Sequence, residues 1–233
     1  MIAVSIVGYK DTGKTTLAVA LGEELKSRGV RVAAAKFTHH GLDGADTDTD
    51  RLRETYGVCA GLSDSGAALF WKGKRYLPDI APLLDCDVLV VEGGKSLGWL
   101  PRVMLLRSIA DAGALDQGLA LASYGTIAVP DMTNVTDVVT LADLVLARGF
   151  ALPGLDCGSC GRKDCAALAR EIVEGKATPD QCRARKGSVS VSVGGVPVPM
   201  NGFVSDLFSG AIMGMLRQLK GVSSGDVEIT IKS

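Results

Sequence analysis

The chain has 233 residues, of which 47% are apolar, enough for one α/β domain of ordinary size plus a small appended module. Its net charge of −1, with no long basic block, excludes the electrostatic footprint of a nucleic-acid binder. The late apolar helix pattern at 203–216 contains Asp206 and is too short for a bilayer span, so no membrane association is expected. A strand pattern begins at residue 2, which leaves no room for a leader peptide, and a cytoplasmic protein is expected. In that compartment six cysteines point to metal or redox chemistry rather than disulfides.

Up to about residue 150, strand and helix patterns alternate, the signature of a parallel sheet with crossover helices. Residues 2–7 read as a buried strand, and 17–26 as a helix with Leu17, Ala20, Leu21 and Leu25 on one face. A second strand at 30–35, a polar stretch at 36–49 and a helix at 51–56 follow, then two short β-like runs at 60–63 and 67–71. A helix at 79–84 precedes a strand at 88–91. Strands are expected at 103–106 and 126–129, and a helix at 135–147. Leu152-Pro153-Gly154 punctuates a boundary, which gives expected units of 1–150, 151–186 and 187–233. The last unit reads as a hairpin, 189–193 and 196–199 around Gly194-Gly195, then a helix at 203–219 and a strand at 227–231. Prolines at 197 and 199 confine the second hairpin strand to an edge.

Between the first strand and helix stands Gly8-Tyr9-Lys10-Asp11-Thr12-Gly13-Lys14-Thr15, followed by Thr16, which fits the phosphate-loop pattern in its required context. Successive backbone N–H groups and a helix N-terminus converge on an anion in such a loop, and glycines keep Cβ atoms away. Gly8, Asp11, Thr12, Gly13, Lys14, Thr15 and Thr16 are therefore candidate nucleotide contacts. Lys14 would reach the β/γ-phosphates, and the Thr15 hydroxyl would join a Mg²⁺ shell. The strand at 88–91 runs into Glu92-Gly93-Gly94, which places a carboxylate at a strand's C-terminal end, where such folds hold Mg²⁺ or its water. Asp87, at the opposite end, reads as structural. Lys14 and Glu92 are thus the candidate catalytic groups.

Lys36, Thr38, His39 and His40, with Asp43, Asp46, Asp48 and Asp50, make a dense polar loop after the second strand. A second metal could bind there, but adjacent histidines in extended backbone point to opposite sides. A loop that contacts the γ-phosphate or a substrate is the alternative, because loops at this place switch with nucleotide state.

These segments carry a resemblance. The loop 8–16, Lys36-x-Thr38-His39-His40, Asp48-x-x-Arg51 and Val-Val-Glu92-Gly93 are similar to MobB-type proteins of molybdenum cofactor biosynthesis. The resemblance covers about residues 1–150. It implies a P-loop NTPase fold, GTP and Mg²⁺ as ligands, slow hydrolysis and cofactor-synthesis partners. It also implies a substrate-side loop built from Lys36, His39, His40, Asp48 and Arg51. The chain departs from the commonest form with Gly94 before Lys95, and with Tyr56-Gly57-Val58. Base choice is weakly written: Asp131 could accept from guanine N1 and N2, or could serve a turn ahead of Thr133-Asn134.

Cys157-x2-Cys160-x4-Cys165-x16-Cys182 is the second strong pattern, and thiolates so gathered suit a metal centre. Zinc sites favour two close pairs, and here there is one pair with no nearby histidine. Gly158 and Gly161 would admit backbone N–H groups to bridging sulfides. The segment resembles the small [4Fe–4S] domain of corrinoid iron–sulfur proteins and RnfB-type electron carriers, which implies that all four cysteines ligate one cluster. Cys59 and Cys86 lie in apolar contexts and read as core residues. Phe203, Leu207, Phe208, Ala211, Ile212, Met215 and Leu219 fall at helical spacing, which suits packing on the chain's own hairpin or, alternatively, a homodimer face.

Two functions of different class follow. One is a GTP-binding protein of molybdenum or tungsten cofactor maturation. The other is an NTP-gated iron–sulfur carrier or electron-transfer switch that serves a metalloenzyme.

Overall fold

The computed structural model of the chain describes residues 1–38, 47–186, 189, 191–193, 196–198, 200, 202–219 and 227. In order they form β1 (Ile2–Gly8), α1 (Lys14–Ser27), β2 (Val32–Lys36), α2 (Asp48–Tyr56), β3 (Val58–Ser63) and β4 (Gly66–Trp71). Then come α3 (Leu77–Ile80), a 3-10 turn (Ala81–Leu83), β5 (Val88–Glu92), β6 (Arg102–Leu105), α4 (Asp111–Asp116), β7 (Ala120–Tyr124) and β8 (Asn134–Val135). Last are α5 (Val138–Arg148), α6 (Cys165–Val173), β9 (Val191–Val193), β10 (Val196–Val198) and α7 (Gly202–Leu216).

Six strands make one sheet in the order β2-β5-β1-β6-β7-β8, and every pairing is parallel. β1 lies inside the sheet, and its run Ile2–Gly8, apolar but for Ser5, is buried on both faces, as a strand covered on both sides must be. Alternation divides it: Val4 and Ile6 face α1 and α5, whose Leu17, Leu21, Leu25, Leu141 and Val145 fill one core. Ala3 faces the opposite layer with Leu77, Leu89 and Leu100, and Val7 lies there with Met104 and Leu115. The chain passes from β1 to β2, returns through β5, and crosses to β6 on β1's other side. That reversal leaves a crevice at the C-terminal end of β1, the usual ligand position in open α/β sheets.

Several expectations require correction. No strand forms at 126–129; the sheet continues instead through β7 and the two-residue β8. The run Thr126-Ile127-Ala128-Val129 is apolar enough to suggest a strand, but Gly125, at φ 110°, ends β7 and turns the chain away. α4 and α6, of 6 and 9 residues, form where the sequence analysis expects no helix. The expected strand at 227–231 falls mostly outside the described residues, as do the hairpin turn at 194–195 and residues 39–46. β3 and β4 pair only with each other, so Cys59 sits half-buried on a two-stranded ribbon rather than in the core. Cys86 is likewise half-buried, beside the Leu77–Leu89 layer. Leu207, Phe208 and Met215 on α7, and Leu219 beyond its end, are exposed among the described residues, so packing on the chain's own hairpin does not bury them.

One polar side chain lies at the centre of this scaffold. Arg102, at the start of β6, is fully buried. It donates to Leu115 O at 2.7 Å, Lys95 O at 2.6 Å and Leu97 O at 3.1 Å, and its Nε has no partner among the described residues. Burial holds its guanidinium below the usual arginine range. Arg102→Ala should therefore destabilise the fold by about 3 kcal/mol or more, the cost of orphaned carbonyls plus a cavity. Urea unfolding checks this; a midpoint equal to that of the parent protein would contradict it.

Candidate functional site

The loop 8–15 leaves β1 under close steric control. A Cβ on Gly8 would meet Thr12 Oγ1 at 2.5 Å and the Leu105 carbonyl oxygen at 2.8 Å, so only glycine lets the loop cross β6. Asp11 and Gly13 take positive φ of 62° and 83°, which folds the loop back on itself. Thr12 Oγ1 donates to Tyr9 O at 2.9 Å, and Lys14 Nζ donates to the same oxygen at 2.6 Å.

α1 begins at Lys14 with Gly13 as its N-cap, without a side-chain cap and without an acidic residue in the first turn. α2, α5 and α6 are capped, by Thr47, Asp137 and Asp164. The first N–H groups of α1 are thus left to an external acceptor, and the helix dipole favours an anion there. Thr16 is exposed on that first turn.

Glu92 closes the site. It ends β5 in register with Ile6 of β1 and Lys36 of β2, so all three strand ends open on the same side. Thr15 Oγ1 donates to Glu92 Oε1 at 2.9 Å, and Lys36 Nζ lies 3.2 Å from the same oxygen. The carboxylate is only 14% exposed, so its geometry is held by packing as well as by charge. Behind it, Gly93 donates its N–H to Ile6 O at 2.9 Å, and its carbonyl accepts from the buried Ser5 hydroxyl at 2.7 Å. Gly93 and Gly94 have φ of 86° and 71°, and a Cβ on either would press on Phe37 at 3.3 Å.

Three candidates are therefore brought together: Thr15, Lys36 and Glu92. Asp48 and Arg51 lie 3.7 Å apart on the exposed first turn of α2. His39, His40, Asp43 and Asp46 lie outside the described residues. Asp131 is exposed, at φ 59°, in a turn seven residues past the end of β7 rather than directly after a strand. Sequence reasoning missed Tyr9, Lys95 and Arg107: the ring of Tyr9 receives Lys95 Nζ at 4.1 Å and Arg107 Cζ at 4.2 Å. Nothing in their spacing announced it, because they come from three separate loops.

The cysteines form a second centre. Cys157, Cys160, Cys165 and Cys182 line one pocket, together with Pro153, Leu155 and Leu168. Among the described residues no three Cys, His, Asp or Glu side chains draw close enough to hold a single ion. Gly158 and Gly161, at φ 67° and 81°, turn the loop that carries Cys157 and Cys160. Asp156 clamps Cys165, accepting from its N–H at 2.8 Å and donating an N–H to its Sγ at 3.4 Å. Arg162 ties the cradle together: it pairs with Glu171 at 2.7 Å and donates to Gln181 Oε1 at 2.7 Å and to Cys160 O at 3.0 Å. Burial pushes the Cys165 thiol up to about 11, whereas hydrogen bonds from Ser159 lower that of Cys157.

This centre shares a core with the sheet layer. Leu119, Phe150 and Trp99 pack with Leu152, Leu168, Ala169 and Cys182. Leu152 N donates to Trp99 O at 3.2 Å, and Arg148 Nη2 donates to Val173 O at 2.6 Å. A Cβ on Gly98 would meet the Ala166 Cβ at 2.8 Å, and one on Gly154 would meet Trp99 Nε1 at 2.8 Å.

Comparisons with known proteins match the two segments that carry these centres. Residues 3–124, just over half of the chain, match the family model described as "Molybdopterin guanine dinucleotide synthesis protein B". Residues 152–184 match one described as "Putative Fe-S cluster". A protein of Methanocaldococcus jannaschii, described as "Putative molybdopterin-guanine dinucleotide biosynthesis adapter protein", is 28% identical over 235 residues, covering 96% of this chain and 94% of its own. A Bacillus subtilis protein described as "Probable molybdopterin-guanine dinucleotide biosynthesis adapter protein" is 27% identical over 122 residues, or 48% of this chain and 69% of its own. A crystal structure of molybdopterin-guanine biosynthesis protein B shares the fold at a TM-score of 0.51 and 22% identity, covering 63% of this chain and 99% of that one. The chain belongs to the molybdopterin guanine dinucleotide synthesis protein B (MobB) family and carries an Fe–S-type segment after its MobB portion.

Proposed function

We propose that the protein is a GTP-binding, slowly hydrolysing adapter in molybdenum or tungsten cofactor maturation, with a [4Fe–4S] cluster on Cys157, Cys160, Cys165 and Cys182. The observation that carries the nucleotide half is the meeting of Thr15 and Lys36 on Glu92, opposite the uncapped start of α1. In this reading the N–H groups of 13–16 and the Lys14 ammonium hold the β- and γ-phosphates, after Lys14 gives up Tyr9 O. The Thr15 hydroxyl and Glu92 are the groups that would hold Mg²⁺, which neutralises phosphate charge when bound. Glu92 is already engaged by Thr15 and Lys36, so it is a poor base for water, and turnover without a partner is slow. Thr16 supports the first turn of the phosphate cradle, and Asp11 and Thr12 shape the loop. Asp131 is the carboxylate assigned to guanine.

The [4Fe–4S] assignment rests on the shared pocket. Four thiols line it, the ligand number of one such cluster. A bound cluster would supply one-electron chemistry. The partners in this reading are cofactor-synthesis or metalloenzyme-maturation proteins, consistent with the "adapter" in the relatives' descriptions.

One observation favours the second reading, in which nucleotide state gates the cluster. The segment that leaves Glu92 runs through Lys95 and Leu97, both held by Arg102, to Trp99, which packs against the cysteine segment. A displacement at Glu92 has a short, well-packed route to the cluster cradle, and the effect would be reciprocal by linkage.

Lys14→Ala should weaken GTP binding about a hundredfold while the fold is retained, the loss of one strong charge-assisted contact. Gly8→Ala should do likewise, because its Cβ cannot clear Leu105 O. Calorimetry with GTP and ATP checks both: GTP should bind more tightly, Asp131→Asn should erode that preference, and equal affinities in the parent protein would remove the guanine assignment.

Protein purified without oxygen should be brown and carry about four iron and four sulfide per chain. Serine at position 157, 160, 165 or 182 should lower that content, and serine at position 59 should not. Stoichiometric zinc without acid-labile sulfide would overturn the cluster.

A further inference from the structure

Tyr9 gathers three cations. Its carbonyl takes Lys14 at 2.6 Å, and its ring takes Lys95 at 4.1 Å and Arg107 at 4.2 Å. An aromatic face attracts cations but neutralises none of their charge. Lys95 makes no ion pair or side-chain hydrogen bond among the described residues. Burial, and then the neighbouring charges of Lys14 and Arg107, hold its ammonium below the usual lysine range. Arg107 has Asp111 at 3.5 Å, but that carboxylate is chiefly used by the N–H groups of Arg107, at 2.9 Å, and Ser108, at 3.3 Å.

The cationic pair is also pre-positioned. The carbonyl of Lys95 is pinned by the buried Arg102 at 2.6 Å, and Leu97 N closes the turn onto Gly94 O at 2.9 Å. Arg107 follows β6 by two residues, in a turn shaped by Asp111. Two like charges held on one ring beside a phosphate loop repel each other until an anion arrives.

We propose that Lys95 and Arg107, both held against the Tyr9 ring, form an anion subsite beside the phosphate loop that binds a phosphate oxyanion other than the β-phosphate. The oxyanion is either the terminal phosphate of the nucleotide or the phosphate of a second, phosphate-bearing small molecule. This inference rests on the proposal that loop 8–15 holds a nucleotide. When the anion binds, Lys95 and Arg107 exchange their ring contacts for charge-assisted hydrogen bonds, and the Tyr9 ring is released.

The test is calorimetry on the full chain with GDP, with a non-hydrolysable GTP analogue, and with inorganic phosphate added to analogue-loaded protein. The parent, Lys95→Met, Arg107→Met, Lys95→Arg and Lys14→Ala forms are compared, with circular dichroism confirming each fold. If the subsite takes the nucleotide's terminal phosphate, Lys95→Met weakens the analogue about tenfold, one charge-assisted contact, and leaves GDP unchanged. If it takes a separate phosphate, inorganic phosphate binds the analogue-loaded parent and not Lys95→Met. Arg107→Met should follow Lys95→Met, and Lys95→Arg should restore the lost contact in either case. Folded Lys95→Met and Arg107→Met proteins that match the parent in all three titrations overturn the proposal. Undiminished nucleotide binding by Lys14→Ala would instead remove the phosphate-loop reading. Inorganic phosphate titrated into nucleotide-free parent and Lys95→Met protein then decides the subsite alone: weaker binding by the variant sustains it, and equal binding overturns it.

Discussion

A guanidinium buried in the middle of a sheet, with no ion pair among the described residues, is the constraint on which both halves of this molecule depend. Arg102 satisfies the carbonyls of Lys95, Leu97 and Leu115, and so joins the segment after β5 to the end of α4. Burying that charge is costly, and only several good hydrogen bonds offset it. The gain is placement: a segment rich in glycine, 93–98, is held in one conformation between two functional centres.

On one side of that segment stands Glu92. Its neighbours come from three parallel strand ends, so the position of the carboxylate follows from sheet register rather than from any flexible loop. On the other side stands Trp99, wedged over Gly154 and packed with the core that contains Cys182. The cysteine segment is thereby fastened by shared apolar packing and by side-chain hydrogen bonds from Arg148 to Val173 O and from its own Arg170 to Gln117 O. A carrier whose cluster roams on a linker would show none of these contacts.

Much of this was legible in the sequence. The loop 8–16 combines a fixed motif with an apolar strand before it and a 3.6-residue periodicity after it, and each of these rests on local chemistry. Glu92 could be found because a carboxylate that ends a continuous apolar run has a definite place in such sheets. The four-cysteine spacing could be read because thiolates have few other uses in so short a stretch. No strand forms at 126–129: apolar content alone does not distinguish a strand from a loop. Tyr9, Lys95, Arg102 and Arg107 were invisible for a different reason: their meaning comes from where three crossovers meet, and no window of sequence contains all of them. Arg162 belongs to the same class, since its partners Glu171 and Gln181 lie 9 and 19 residues away.

In the proposed function, nucleotide and cluster would share one rigid frame through residues 92–99. The most direct measurement is the cluster's reduction potential in anaerobic protein, with and without a saturating non-hydrolysable GTP analogue, alongside analogue affinity in oxidised and reduced protein. The expected result is a potential that shifts on nucleotide binding, with an affinity ratio between redox states that matches the shift by linkage. An unmoved potential, together with equal affinities in the two redox states, would contradict it and leave two independent sites on one chain.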